Sequence, residues 1–421
     1  MDLYGTSAVI FGIIFAFGLV LFSYKIHFWK YARRPQKLLP DAPQDKRYAV
    51  LIPAKDESKV IGELLDSIKS QEFNTSMLDA YVIVADKKDP TIKICKKYEN
   101  TTACVLPYKV KSKGETLKYI INELGKQNKH YDGYFILDAD NVLLPDFMKH
   151  MHNALCAGND VVLGGRLSKK PSGNWVSAGS TLTWTFLNTL NNKCRSENGK
   201  NILVQGSPLL ISKTIIEDFF HNDWPLETLT EDLELGYLCS INDFKTFYYE
   251  YALAYDEQPD TVPGGFNQRL RWVRGHHVTN RMYRHKFRHN HCKYNDGIYK
   301  YDTLYSLLAP IVLIVDCVVF AIYSAIMAIV LSLQGNPLWY WCMIGSICVG
   351  IGFYLILCGW TLFALIVDRE KLNMTAMQWI QAVFTVPIFY FEYLPIYIKS
   401  MFSKDITWVK IEHKQTMNKS K

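Results

Sequence analysis

Two kinds of hydrophobic pattern divide the chain. Long apolar runs with almost no charge occupy residues 4–24, 305–333 and 338–367, whereas residues 36–300 alternate short apolar runs with amphipathic segments. Apolar runs of about 20 residues can cross a bilayer whose core is roughly 30 Å thick. The pattern therefore predicts one large soluble domain that follows a membrane anchor and precedes a pair of membrane-spanning helices.

The short apolar runs of the soluble part predict β-strands, at residues 48–52, 80–84, 103–106, 134–137 and 160–163. Between them, apolar residues spaced three and four apart predict helices near residues 60–68 and 117–124. Alternation of strands and helices is typical of an α/β domain. We therefore predict a mostly parallel, doubly wound sheet.

Polar residues follow three of the predicted strands. Residues 53–57 follow the first strand, Asp86 follows the second, and Asp138 and Asp140 follow the fourth. Sheets of this class bind ligands beyond the carboxyl ends of their strands. Three strand ends with polar residues therefore predict a binding site at one edge of the sheet.

The acids in these positions suit metal-assisted chemistry. Asp138 and Asp140 are one residue apart, so they can hold a hard divalent cation that also binds a diphosphate, although solvated turn acids are the plainer interpretation. Glu231 and Asp232, within the run Thr-Glu-Asp, are candidates for a general base that removes a hydroxyl proton. These two residues and Glu234 are equally typical of the solvated face and acidic first turn of a helix.

Residues 268–272 (the QRLRW run) begin the most basic stretch of the chain. Arg271 could pair with phosphate oxygens, and Trp272 offers a flat face to a sugar ring or a base. A basic amphipathic helix that lies on the membrane is the alternative interpretation. The two interpretations are compatible.

Charge predicts how the chain is oriented. The formal net charge is +7, and basic clusters at residues 25–37 and 269–288 flank the apolar runs, which is typical of the cytoplasmic side. Residues 374–402 are apolar but contain Pro387 and Glu392, which favours an interfacial or re-entrant helix. We predict a multi-pass protein of the cell membrane with a cytoplasmic catalytic domain. No nucleic-acid-binding motif accompanies the positive charge, so a nucleic-acid partner is not expected.

The predicted organisation has five parts. They are a membrane anchor with its basic stop at 1–35, a catalytic domain at 36–265, basic amphipathic interfacial helices at 266–300, two membrane-spanning helices at 301–370, and an interfacial or re-entrant helix with a cytoplasmic loop at 371–421. Ten cysteines lack CxxC pairs, which argues against a disulfide framework or a zinc ribbon and fits a reducing compartment.

The order of the motifs resembles glycosyltransferase family 2. A lone Asp86, the pair Asp138 and Asp140, the run Thr-Glu-Asp at 230–232 and the QRLRW run follow one another as they do in its membrane-integrated branch, which contains cellulose, chitin, hyaluronan and poly-N-acetylglucosamine synthases. The resemblance covers roughly residues 47–280. It implies a GT-A fold with transmembrane and interfacial helices.

The resemblance also implies roles for individual residues. It places a UDP-sugar donor on Ala54, Glu57, Asp86, Lys113, Asp138 and Asp140, with Mg²⁺ or Mn²⁺ on the last two. It makes Asp232 the base, and it places the acceptor and the diphosphate on Gln268, Arg271, Trp272, Glu231, Gly206 and Ser207. Trp408 and Lys410 would belong to a loop that closes over the nucleotide. Lys87, Lys88, Asp89 and Pro90 depart from the polar run that usually follows the first aspartate.

Two functions fit this resemblance. The first is processive synthesis of a β-linked polysaccharide, preferably a cellulose-like, 1,3-linked or mixed-linkage glucan from UDP-glucose and otherwise a polymer from UDP-N-acetylglucosamine, with export through the membrane helices. The second is transfer of one or two sugars to a lipid such as a diacylglycerol or a ceramide. Three spans give little wall for a polymer channel unless interfacial helices, a second copy or an accessory subunit contribute. A catalytically silent scaffold or transporter is disfavoured because all the motif acids are present.

Overall fold

The computed structural model describes residues 3–402, apart from residues 111, 172, 222–225, 227 and 307. The strands are β1 Tyr48–Pro53, β2 Leu78–Val84, β3 Thr101–Val105, β4 Gly133–Ile136, β5 Val142–Leu143, β6 Val161–Ser168, β7 Leu209–Ser212 and β8 Thr246–Asp256. The first helices are α1 Leu3–Ser23, α2 Lys25–Trp29, α3 Ile61–Lys69, α4 Thr91–Cys95, α5 Lys113–Lys126, α6 Phe147–Cys156, α7 Trp175–Trp184, α8 Lys193–Glu197 and α9 Lys213–His221. The remaining helices are α10 Glu231–Ile241, α11 Val262–His289, α12 Gly297–Tyr305, α13 Leu308–Leu333, α14 Trp339–Val367, α15 Arg369–Leu372, α16 Ala376–Phe391 and α17 Tyr393–Phe402. A 3₁₀ turn (Thr75–Met77) precedes β2, and a π-helical segment (Thr185–Asn192) joins α7 to α8.

The strands form one sheet in the order β3-β2-β1-β4-β7-β6-β8-β5. The first four positions are parallel, and each of these strands is one that the hydrophobic pattern predicts. Beyond β4 the sheet is mixed, because β7 runs antiparallel to both of its neighbours and β5 runs antiparallel to β8. The predicted α/β class is confirmed. The sequence pattern did not reveal β7 and β8.

The alternation of side chains along β1 explains the layers. Val50 and Ile52 belong to an apolar cluster with α3 and α6, while Ala49 and Leu51 belong to a second cluster with α5 and α10. Successive side chains of a strand point to opposite faces, so a strand that is apolar throughout requires cover on both. The buried β1 therefore fixes the sheet between two helical layers and leaves its carboxyl edge open.

The described residues contain three helices that are long and apolar enough to cross a membrane, and they are Gly5–Trp29, Ile311–Leu333 and Trp339–Val367. The predicted membrane association is thereby supported. The helices pack together through aromatic side chains. The ring centroids of Phe11 and Phe320 are 5.3 Å apart, and those of Trp29 and Trp360 are 4.6 Å apart.

Residues 374–402 form two helices, α16 and α17, that meet at Glu392. The outer side of α16 carries an exposed apolar stripe of Met377, Ile380, Phe384 and Ile388. Its inner side packs on α14 and on α7 of the catalytic domain. An exposed stripe on a helix with a buried opposite side suits the predicted interfacial position, which stays a prediction.

A buried carboxylate fastens the N-terminal helices to the rest of the protein. Asp302 in α12 accepts hydrogen bonds from Tyr24 Oη and Lys25 Nζ, both at 2.5 Å, and from Arg195 Nη2 at 2.6 Å. Its side chain and that of Arg195 are both fully buried. Burial of a charge is tolerated only when it is paired and hydrogen-bonded, so removal of Asp302 would leave its buried partners with an uncompensated charge.

We expect Asp302→Ala to lower the stability of the protein by about 3–5 kcal/mol, because it leaves the buried Arg195 without its counter-ion. Thermal unfolding in detergent can be followed with a thiol-reactive dye, since buried cysteines such as Cys194 and Cys239 become reactive on unfolding. Asp45→Ala removes an exposed aspartate and should leave the melting temperature unchanged. Equal melting temperatures for the two variants would contradict the assigned role of Asp302.

Candidate active site

The centre of the candidate site is Asp138, which is the second residue beyond the carboxyl end of β4. Lys113 Nζ donates to Asp138 Oδ1 at 2.6 Å, and Ser207 Oγ donates to Asp138 Oδ2 at 2.5 Å. The backbone N–H of Asp138 donates to Asn141 Oδ1 at 3.0 Å. The first turn of α5 and residues 205–208 (the 205–208 loop) thus converge on this carboxylate.

The charges around Asp138 decide its ionisation. Burial in the cleft would raise the pKa of this carboxyl, but the positive charges of Lys113 and Arg166 outweigh that effect and hold the pKa well below its usual range. Burial by itself would lower the pKa of Lys113, but the charge of Asp138 and then that of Glu231 raise it. The pair is therefore fully ionised at neutral pH. The Asp138 side chain keeps 41 % of its surface exposed, so it can still reach a ligand.

Asp140 has a more enclosed position. It is buried, and its Oδ2 accepts a hydrogen bond from the backbone N–H of Glu257 at 2.9 Å. The described part of the chain contains no group of three or more His, Cys, Asp or Glu side chains arranged to hold a metal ion. Mg²⁺ and Mn²⁺ commonly take one or two carboxylates and complete their coordination with phosphate oxygens. Asp138 and Asp140 fit that donor set.

Asp232 lies in the first turn of α10. Its Oδ2 accepts a hydrogen bond from the backbone N–H of Gly206, and its Oδ1 accepts one from the N–H of Leu233 at 2.8 Å. Gly206 has a φ of +65°, which favours glycine at this position of the 205–208 loop. Neighbouring residues of one loop therefore contact Asp232 and Asp138, which the sequence separates by almost 100 positions.

Glu231 is the neighbour of the candidate base. Burial and the negative charge of Asp232 raise the pKa of Glu231 to about 7, although Lys113 acts in the opposite direction. Burial and the nearby Asp140 likewise raise the pKa of Asp256 to about 7 against the effect of Arg166. The cleft thus collects more acids than its cations can keep ionised.

The predicted donor residues line the ends of β1 and β2. Ala54 is buried and its N–H donates to Ile83 O at 2.8 Å, while the N–H of Glu57 donates to Thr91 Oγ1 at 3.1 Å. Asp86 is exposed beyond β2, where a ligand can reach it. The structure therefore brings these residues to the same edge as Asp138.

Asp89 was missed as a link between the two donor loops. It is buried, and its Oδ2 accepts a hydrogen bond from the N–H of Asp56, whose φ is +57°. The departure at residues 87–90 therefore has a structural purpose, because Asp89 ties the loop after β1 to the loop after β2. An aspartate directly before Pro90 was the available signal, since such pairs favour turns.

The QRLRW run lies in the first half of α11, and α11 packs on α10, the helix that begins with Glu231 and Asp232. The ring centroids of Trp272 and Trp184 are 5.6 Å apart, edge to face. One turn later Gly275 meets Thr230, and a Cβ at Gly275 would lie 2.2 Å from the Thr230 side chain. Only a glycine permits this approach of α11 to the segment before α10.

The two arginines of the QRLRW run differ in surroundings. Arg269 is buried, where it donates to Phe389 O at 3.0 Å and pairs with Glu392. Its guanidinium also lies 3.7 Å from the centroid of the Phe389 ring. Arg269 thus fastens α11 to α16 and α17. Arg271, the predicted ligand of the diphosphate, is half-buried, and Oε1 of Gln268 is buried without a hydrogen-bond partner among the described residues.

Glu234 is a second residue that sequence reasoning missed. It is fully buried, and it accepts hydrogen bonds from the N–H of Thr228 at 2.9 Å and from Tyr283 Oη at 2.7 Å. These bonds join the segment that carries Asp232 to α11. Its position in the sequence suited a solvated acid in the first turn of a helix, but the side chain is buried and joins two elements. Trp408 and Lys410, predicted to gate the site, lie outside the described residues.

Comparisons with known proteins identify the family of the chain and its fold. A family model described as "Glycosyltransferase like family 2" matches residues 43–275, which is more than half of the chain. "Probable glycosyltransferase YdaM" of Bacillus subtilis (strain 168) is 24 % identical over 258 residues, which cover 59 % of this chain and 60 % of that protein. "Poly-beta-1,6-N-acetyl-D-glucosamine synthase" of Staphylococcus epidermidis is 24 % identical over 245 residues, 54 % of each chain. The chain thus spans little more than half the length of these curated relatives.

Among solved structures, a mannosyltransferase from Pyrobaculum calidifontis, PcManGT, described in complex with GDP-Man and Mn²⁺, superimposes with a TM-score of 0.60 at 13 % identity. The match covers 94 % of this chain and 99 % of that one. At this identity the likeness concerns the fold. It extends the GT-A-like resemblance over almost the whole chain.

Glu231→Gln tests the ionisation of the acidic cluster. A carboxyl whose pKa rises from 4.5 to about 7 on folding stabilises the folded state most at low pH, and that stability is lost as pH rises through this window. Glutamine removes the titration. We expect the melting temperature of the variant, relative to that of the wild type, to increase as the pH rises from 5 to 8. A constant difference between the two melting temperatures at all pH values would contradict the raised pKa.

Proposed function

Because the chain belongs to the glycosyltransferase-like family 2, we propose that it is an inverting hexosyltransferase embedded in a membrane. It would transfer a sugar from a nucleoside diphosphate to a hydroxyl acceptor. One observation carries this proposal. Adjacent residues of the 205–208 loop hold Asp138 through Ser207 Oγ and Asp232 through the N–H of Gly206, so the donor-side acid and the base are set by one element.

The donor side follows from Asp138, Asp140 and Lys113. Asp138 and Asp140 would hold Mg²⁺ or Mn²⁺, whose positive charge would offset the charge on the departing diphosphate. Lys113 contributes a further fixed positive charge within 2.6 Å of Asp138. Asp86 and the loop after β1 would hold the nucleoside at the neighbouring strand ends. Fixed charges placed before the reaction stabilise developing charge without having to reorganise.

The acceptor side follows from Asp232 and Trp272. Asp232 would take the proton of the acceptor hydroxyl as the acceptor oxygen bonds to the anomeric carbon and the bond to the diphosphate breaks. Attack from the side opposite the leaving group inverts the anomeric configuration. The hydrogen bond from Gly206 orients the Asp232 carboxylate, and Trp272 offers its ring to the acceptor sugar.

We propose that the acceptor is a growing β-linked polysaccharide that the membrane helices export. The name of the Staphylococcus epidermidis relative supports a polymer, and α11, α16 and α17 lie fastened together beside the site through Arg269. The donor is a UDP-sugar, with UDP-glucose and UDP-N-acetylglucosamine as the two candidates. The basic residues beside the membrane helices support a multi-pass arrangement in the cell membrane with the catalytic domain in the cytoplasm.

The second candidate is transfer of one or two sugars to a membrane lipid. The count of membrane-length helices favours it, since the described residues provide three and a polymer channel needs a closed wall. In this case α16, with its exposed apolar stripe, would meet the lipid at the membrane surface. A polymer channel would instead require a second copy of the chain or an accessory subunit.

Asp232→Asn tests the base. The substitution keeps the shape of the side chain but removes its negative charge, so we expect transfer to fall by at least about 100-fold. Binding of UDP with Mn²⁺, measured by calorimetry, should stay close to that of the wild type. Asp45→Asn, an exposed aspartate outside the cleft, serves as the matched control and should transfer normally. Wild-type turnover in Asp232→Asn would remove Asp232 as the base.

Product size separates the two acceptors. Purified protein in lipid nanodiscs would be incubated with Mn²⁺ and one donor at a time, UDP-glucose, UDP-N-acetylglucosamine or GDP-mannose. We expect a polymer from one UDP-sugar that linkage-specific glycosidases degrade. Products of one or two sugars on an extractable lipid would establish the second candidate instead. Release of UDP without a larger product would contradict both acceptors.

A further inference from the structure

Arg166 in β6 lies at the meeting point of three parts of the site. Its Nε donates to the carbonyl oxygen of Ser207, its Nη1 lies 3.4 Å from Asp256 Oδ2, and its guanidinium carbon lies 4.1 Å from the centroid of the Trp184 ring. Its side chain is only 10 % exposed. A Cβ at Gly206 would lie 1.9 Å from Nη2 of Arg166. The guanidinium therefore occupies the space that a side chain at position 206 would need.

Three neighbours of Arg166 contact proposed functional residues. Ser207 donates to Asp138, and the N–H of Gly206 donates to Asp232. Trp184 lies edge to face with Trp272 on the acceptor side. One guanidinium thus packs against the supports of the donor-side acid, the base and the acceptor platform.

A closed ring of contacts fixes the orientation of this guanidinium. Gln258 Nε2 donates to Asp256 Oδ1 at 2.7 Å, and Trp184 Nε1 donates to Gln258 Oε1 at 3.3 Å. The ring therefore runs from Arg166 through Asp256, Gln258 and Trp184 back to the face of the same guanidinium. All four side chains are nearly inaccessible to solvent. A planar guanidinium donates in fixed directions, which a lysine cannot reproduce.

We propose that Arg166 is a positioning residue that sets the acceptor hydroxyl against Asp232. It does so by holding the 205–208 loop and Trp184 in one fixed arrangement. This role rests on the proposed function, since it requires an acceptor at Trp272. Arg166 stands behind the loop and acts through Gly206, Ser207 and Trp184. Displacement of reacting groups by about 1 Å can cost roughly 100-fold in rate.

Arg166→Lys is the central variant. It keeps a positive charge beside Asp138 and Asp256, so binding of UDP with Mn²⁺ should stay close to wild type. It loses the planar guanidinium, which contacts Ser207 and Asp256 and also stacks over the ring of Trp184. Turnover should therefore fall by about 100-fold. Gly206→Ala is the second variant, because its methyl group displaces the same guanidinium and should reproduce this loss of turnover.

Arg195→Lys is the matched control. Arg195 is also a buried arginine paired with an aspartate, Asp302, but it lies outside the cleft. We expect this control to lower the melting temperature while the folded protein keeps its turnover and its KM for the donor. A positioning role for Arg166 predicts the opposite pattern, with a large loss of turnover and a smaller loss of melting temperature.

The outcomes separate this inference from the proposed function. Wild-type turnover in Arg166→Lys, or parallel losses of turnover and melting temperature in Arg166→Lys and Arg195→Lys, would overturn the positioning role alone. If Arg166→Lys fails to fold, normal turnover in Gly206→Ala overturns it. A wild-type protein that transfers no sugar from any of the three donors would overturn both the inference and the proposed function.

Discussion

Mutual repulsion among carboxylates is the constraint on which the catalytic cleft depends. In the proposed function, Asp138 and Asp140 serve the donor and Asp232 serves the acceptor, and the 205–208 loop contacts both Asp138 and Asp232. Lys113 and Arg166 offset part of the repulsion and keep Asp138 ionised. Burial, together with the negative charges of Asp232 and Asp140, raises the pKa of Glu231 and of Asp256 to about 7, so that these two carboxyls are partly protonated at neutral pH. The divalent cation and the diphosphate of the proposed function would add further charges of both signs.

The features that sequence could predict were local ones. The parallel half of the sheet followed from runs of four or five apolar residues, and the polar residues directly after them were placed at one edge of that sheet. Asp138, for example, needed only a strand before it to be placed at the open edge. The order of the motifs then supplied a family. These inferences succeed because a strand and the residue after it are positioned by the same stretch of chain.

The features that sequence could not predict depend on contacts between distant segments. Arg166 lies in an ordinary-looking strand, and Asp256 ends the unpredicted β8. They meet only because β6 and β8 pair in parallel beyond the antiparallel β7. The QRLRW run shows the same limit, since Arg269 and Arg271 are chemically identical in the sequence. Burial against Phe389 assigns Arg269 to the scaffold, whereas Arg271 is only half-buried and remains the predicted ligand of the diphosphate.

The hydrogen bonds from Tyr24 and Lys25 to Asp302 also dictate an order of events during biosynthesis. Tyr24 precedes Asp302 by 278 positions, so at about 5–20 residues per second a ribosome needs roughly 15–55 s to make the partner. Throughout that time Tyr24 and Lys25 lack the carboxylate that they contact in the folded protein. The catalytic domain, which lies between the two residues in the sequence, emerges from the ribosome before Asp302 does. The contacts to Asp302 therefore form late, after the ribosome has translated the catalytic domain.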